Sequence, residues 1–268
     1  MPLPVTTLYY THHMHPTLPL DILLYIIDLL AEDVNSLRIL SLTCKSMVPL
    51  CRKHLFSSLR LDSEFSFERF SDLLSKNPEI ACYVRDLNYG IYNPIGDHKL
   101  NILNILKERS SLQLIALSSE WLYWNDFPES TRSSLLSLIE LPTVIHLYIY
   151  SIKGFPAIVL SGCSNLINLQ LKDLEIASPE VNQVISRSKI PTPVSLYIGT
   201  ETFGLAALLS SKSLHAGGPI VDISRLQKAD FDVKSRDDID QAYELIKVSS
   251  RLEHLNIDTC ITGELTWR

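Results

Sequence analysis

Few residues in this chain could do covalent or metal chemistry, and they are poorly grouped. His12, His13 and His15 lie close together near the start, but no cysteine or carboxylate joins them at ligand spacing, so they read as a polar arm. The five cysteines, Cys44, Cys51, Cys82, Cys163 and Cys260, are odd in number, widely spaced and without a CxxC pair. That is the pattern of reduced thiols, not of a zinc knuckle or a disulfide framework. Cys163 follows Gly162, yet no Cys-His-Asn signature surrounds it, as an activated nucleophile would require. GxGxxG, GxxxxGKS/T, GxSxG and HExxH are all absent, and Gly217-Gly218 before Pro219 reads as a turn, not a phosphate cradle. The residues therefore point to recognition without catalysis, cofactor or metal.

Charge narrows what could be recognised. The net charge is −6, and Lys and Arg are scattered singly among Asp and Glu. Nucleic acid and anionic membrane surfaces both require a basic patch, so neither is expected as a partner. The longest apolar stretch, Leu18 to Leu30, is interrupted by Asp21 and Asp28 and is too short to span a bilayer. The first residues carry no cationic start and no small-residue cleavage pattern, so the expected location is cytoplasmic or nuclear.

The side chains suited to binding a protein fall into two groups. The first is the apolar run from Leu18, in which Leu20, Leu23, Leu24 and Ile27 make one helical stripe while Ile22, Ile26, Leu29 and Leu30 make another. Pro19 suits a helix start, and Asp21 complements its positive end. A short helix with two apolar faces is hard to bury within a small module, so one face is expected to meet a partner. Glu32, Asp33 and Asn35 break this helix and cap a second, expected to run to about Met47, and Pro49 opens a third over PLCRKHLF.

The second group lies on strands. An aliphatic triplet at i, i+3, i+5 recurs seven times, starting at Val84, Leu112, Val144, Leu166, Pro193, Leu226 and Leu252, with steps of 22 to 33 residues. Helical patterns fill most gaps, at 100–109, 128–140, 179–187 and 236–248. The residues between the aliphatics are mostly polar or amphipathic, as a strand with one buried face demands; only Leu114 and Ala116 break the rule. His146, Tyr148, Tyr150, Asn168, Gln170 and Tyr197 are accordingly the candidate substrate-binding residues, the tyrosines as anchors. No polar capping segment is legible between the last triplet and Arg268, so either an atypical segment caps the final turn or the product is short.

Residues 18–56, LPLDILLYIIDLLAEDVNSLRILSLTCKSMVPLCRKHLF, resemble an F-box. Leu18-Pro19, Asp21-Ile22-Leu23, Leu40 to Lys45 and His54-Leu55-Phe56 occur in the family's order, with Met47 where many members carry tryptophan. The resemblance implies docking on a Skp-type adaptor, and through it on a cullin and a ubiquitin-conjugating enzyme. Leu18, Pro19, Ile22, Leu23, Ile26, Leu40 and Cys44 would act by burial and Lys45 as a rim contact. The expected organisation is an arm at 1–17, an F-box helical module at 18–60 and a recognition region at 61–268. The fold class is α/β: three N-terminal helices, then an irregular leucine-rich-repeat-like solenoid with a parallel sheet on its concave face. The expected function is a substrate-recognition subunit of a ubiquitin ligase; the rival is an interaction scaffold acting outside any ligase, or helices that merely cap the repeats.

Overall fold

The computed structural model describes residues 18–43, 45–91, 97–177, 190–205 and 219–259. The His12–His15 cluster, Cys44 and the helical pattern at 179–187 lie outside them. The chain divides into two compact units, ending at Leu55 and beginning at Phe56. This is earlier than the expected 60/61 boundary because Ser58–Leu61 already forms a strand of the second unit.

The first unit is three helices. α1 (Leu20–Leu29) begins directly after Pro19, whose carbonyl accepts the Leu23 N–H at 3.1 Å. α2 (Val34–Thr43) is capped by Asp33, whose carboxylate accepts from the Ser36 N–H at 3.1 Å and the Ser36 hydroxyl at 2.6 Å. It ends before the expected Met47: Ser41 and Thr43 donate their hydroxyls back to the carbonyls of Arg38 and Leu40, each at 2.7 Å, a competition that weakens helix continuation. α3 (Met47–Leu55) starts ahead of Pro49, which falls inside the first turn, where its missing N–H costs no helical bond. Ile27, Leu37 and Cys51, one from each helix, form the small core, with Leu30, Leu40, Met47, Leu50 and Leu55 packed around it. His54 Nε2 lies 2.9 Å from Asp28 Oδ1 and ties α3 to α1.

The second unit is a mixed α/β body built on an eight-stranded parallel sheet. Its main strands are β1 (Ser58–Leu61), β2 (Asp86–Ile91), β3 (Leu114–Tyr123), β4 (His146–Lys153), β6 (Asn168–Lys172), β8 (Ser195–Ile198), β9 (Lys228–Val233) and β10 (His254–Thr259), in that spatial order. The short β5 (Phe155–Pro156) and β7 (Ile176–Ala177) make a separate parallel pair beside it. Parallel neighbours need crossover connections, and α4 (Glu64–Lys76), α5 (Asp97–Arg109), α6 (Glu129–Ile139) and α7 (Arg236–Val248) supply four of them. α4 and α7 each open on a serine capping box, at Ser63 and Ser235.

Register aligns the triplets. Leu87, Ile115, Leu147, Leu169, Leu196 and Ala229 are paired in one buried row, and Tyr89, Leu117, Ile149, Leu171, Ile198 and Phe231 in the next. Each row fills the space under the helices. The first residue of each triplet from Val84 to Leu226 is buried just before its strand, so the i, i+3, i+5 spacing reflects a bend into the sheet followed by alternation. On the helix side, Lys99 is almost fully buried, with its ammonium 2.6 Å from Glu64 and over the Phe67 ring at 4.9 Å.

Candidate interaction surfaces

In the first unit the core takes one fully buried residue per helix, and much of the remaining apolar surface of α1 faces outward. Leu18, Pro19, Ile22 and Ile26 are exposed, as is Lys45. Leu23 is half-buried, and Leu40 packs sideways against the Ile27–Leu37–Cys51 core. Further apolar residues outside the predicted docking set are the most exposed of all: Leu29 at 68%, Ile39 at 66% and Leu42 at 86%. For Ile39 and Leu42 the signal was available in the helical spacing of α2, where only the Leu37 side turns to the core. Three short helices cannot enclose two apolar faces, so a hydrophobic surface is left open on α1 and α2.

In the second unit, the face of the sheet opposite the buried rows is polar and aromatic. Register places Tyr148, Gln170 and Tyr197 in one line across β4, β6 and β8, with His146, Asn168 and Ser195 in the line before it. Tyr150 pairs with Lys172 in the line after. All six predicted substrate-binding residues thus share one patch, and all are half-buried. Their hydroxyls are held by the next strand: Asn168 Nδ2 donates to the Tyr148 hydroxyl at 3.3 Å, the Tyr150 hydroxyl donates to Gln170 Oε1 at 3.0 Å, and the Tyr197 hydroxyl donates to Asp232 Oδ2. The Tyr148 and Tyr150 rings stand 6.4 Å apart in a tilted arrangement. Gly199 is required beside them, because a Cβ there would lie 2.5 Å from Cγ of Lys172.

The electrostatics favour neutral phenols. Burial raises Tyr148 and Tyr150, with smaller contributions from Asp86 on the first and Tyr148 on the second. Tyr197 is raised well above the ordinary phenol range by burial, then by its hydrogen bond to Asp232 and by nearby negative charge. Asp86 is also raised by burial, against the opposing pull of His146 and Arg85. His146 Nδ1 and Asn168 Oδ1, in register on adjacent strands, are buried atoms without a hydrogen-bond partner. What this face can do is bind: rings with fixed hydroxyls present apolar area and directed hydrogen bonds at low ordering cost.

A neighbouring feature escaped sequence reading. Trp121 has a left-handed backbone (φ 58°) where the β3–β4 register shifts, and it stands out from the sheet with Tyr123. Lys153 places its ammonium 5.5 Å and 5.4 Å from the two ring centres. Nothing in the period-2 pattern announces this bulge. Among the described residues no group of His, Cys, Asp or Glu is arranged to hold a metal ion, and no helix is long and apolar enough to cross a membrane.

Residues 16–92 match the model of a family described as COS11 F-box domain. The match takes in the three helices and continues through β1, α4 and β2, and it supports an F-box protein. No curated protein and no solved structure matches the chain.

Proposed function

We propose that this protein is a substrate-recognition subunit of a Skp-cullin-F-box ubiquitin ligase, docking on a Skp-type adaptor through α1 and α2 and binding a protein substrate on the tyrosine face of the sheet. The observation that carries the first half is the open apolar surface of α1 and α2, which coincides with the F-box family match. Leu18, Pro19, Ile22 and Ile26 supply its exposed apolar positions and Lys45 its rim, while Leu23 and Leu40 support the helices from beneath. For the second half we read residues 61–268 as leucine-rich-repeat-like. The support is the strict chain order of eight parallel strands and the recurrence of one aliphatic triplet on seven of them, buried on six. The tyrosine face then lies across consecutive repeats, as a recognition surface should.

Co-purification with a Skp-type adaptor tests the docking assignment. The full chain should retain the adaptor through gel filtration, and the double change Leu18→Ala, Pro19→Ala should release it. Retention by that variant at unchanged affinity overturns the assignment. A complex that assembles with adaptor and cullin but captures the same substrates after Tyr148→Ala with Tyr197→Ala would instead overturn the binding face.

A further inference from the structure

We infer that β10 is a self-association edge: two copies of the chain pair their β10 strands antiparallel about a two-fold axis centred on Asn256. The two edges of the sheet are unlike. β1 is only four residues long, the usual way an open edge is kept from recruiting other strands. β10 is six residues long, pairs with β9 over all six without a bulge, and contains neither Pro nor Lys. Every residue of β10 is exposed, although Leu255 and Ile257 continue the two buried rows of the sheet; they stand 46% and 47% open. Among the described residues no strand covers its outer edge.

The backbone sets which groups are offered. The His254 N–H donates to the Gln227 carbonyl at 2.9 Å, so His254, Asn256 and Asp258 turn their backbone groups toward β9. Leu255 and Ile257 therefore direct their N–H and C=O outward. A two-fold axis normal to the sheet keeps each face with its like, so only registers centred on a single residue are consistent. Centring on Asn256 sets Leu255 against Ile257 of the second copy as a mutually hydrogen-bonded pair, twice over. It also sets His254 against Asp258 of the second copy, where an imidazole N–H can donate to a carboxylate, and Asn256 against Asn256, where the amides can pair. Centring on Leu255 instead sets Ile257 against Glu253, and centring on Ile257 sets Leu255 against Thr259. The sequence HLNIDT is self-complementary only about its Asn. Such an interface is isologous and small, which places it in the weak, concentration-dependent class.

Sedimentation equilibrium of the full chain should show a monomer–dimer equilibrium. Ile257→Lys and Asp258→Arg should each weaken it about tenfold or more, the second by replacing the carboxylate that accepts from His254 with a side chain that only donates. The double change His254→Glu with Asp258→Arg should restore dimerisation, because the exchanged charges meet again only in this antiparallel register. Cross-linking supplies a readout independent of folding energy. In a chain carrying Cys82→Ser and Cys260→Ser, Asn256→Cys should form a disulfide-linked dimer on mild oxidation, while Leu255→Cys should not. A chain that stays monomeric at all accessible concentrations overturns the inference. So does a dimer insensitive to the single changes, or one that the charge exchange fails to restore, either of which would assign the edge to residues 260–268 or to another surface.

Discussion

Cys163 shows how one residue's environment decides its chemistry. Its sulfur is buried and faces the carbonyls of Ile139 at 3.9 Å and Val159 at 3.8 Å. Burial, and secondarily the Glu140 charge, pushes the thiol from an ordinary 9.0 up to about 12. In the unfolded chain the thiol ionises first, so the protonated native form contributes stability that is fully present below pH 9.0 and lost as pH rises toward about 12. Urea midpoints across that window should fall less steeply in Cys163→Ala than in the parent. At pH 8, a thiol reagent should modify the exposed Cys82 in the native protein and reach Cys163 only after unfolding. Phe155 makes a different case: it is fully buried, edge-on to Trp124 at 5.2 Å, so Phe155→Ala should cost about 3–5 kcal/mol by urea denaturation. At this scale the sequence was legible where alternation governs, and Tyr148, Tyr150 and Tyr197 do share the polar face. Their hydroxyl partners were not, because Asn168, Gln170 and Asp232 become neighbours only through cross-strand register.

Elements were read well in kind and less well in extent. The helix over 236–248 is where its Asp-rich start and apolar stripe placed it, and Ser235 caps it through a reciprocal pair of bonds with Asp238. Ser235→Ala should lower stability by about 1 kcal/mol, measured as a shift in the urea midpoint without loss of native circular dichroism. β1 and α4 escaped notice for opposite reasons. Ser-Leu-Arg-Leu is too short to show a period, whereas α4 buries Phe67, Phe70 and Leu74 at spacings that its serines and aromatics obscure. In the first unit, helical spacing alone could not say which stripe of α1 meets the core, since both are aliphatic. The structure separates burial from exposure there, and the separation is testable. Leu37→Ala empties the centre of a three-residue core and should unfold the helices, abolishing adaptor binding together with helical signal. Leu42→Asp changes a residue that touches little of its own unit and should abolish adaptor binding while the helical signal persists. If Leu42→Asp binds the adaptor normally, that part of α2 lies outside the docking surface.

On the scale of the whole chain, periodicity alone implied an ordered succession of strands, but only register shows that the buried residues of six triplets stack into continuous rows, which the exposed seventh extends. The bulge at Trp121 and the small β5–β7 ladder were illegible because both arise where a strand leaves the sheet, and no period survives a change of direction. The division into two units has an energetic meaning that can be measured. Ile27, Leu37 and Cys51 form one cluster, and the large cluster running from Leu61 to Leu245 contains none of them. Phe56 packs against the large cluster, so the cut that respects both cores falls between Leu55 and Phe56. A chain beginning at Phe56 should unfold cooperatively, keep its near-ultraviolet circular dichroism and lose adaptor binding. A chain beginning at Asp62 loses β1, exposes the longer edge of β2 from Asp86 to Ile91 and removes Leu61 from the core, so it should be less stable and prone to associate through that edge. If the chain beginning at Phe56 is itself unfolded, the helices act as a cap on the sheet and the docking-module reading fails; if both chains are equally stable, β1 is not part of the cooperative sheet.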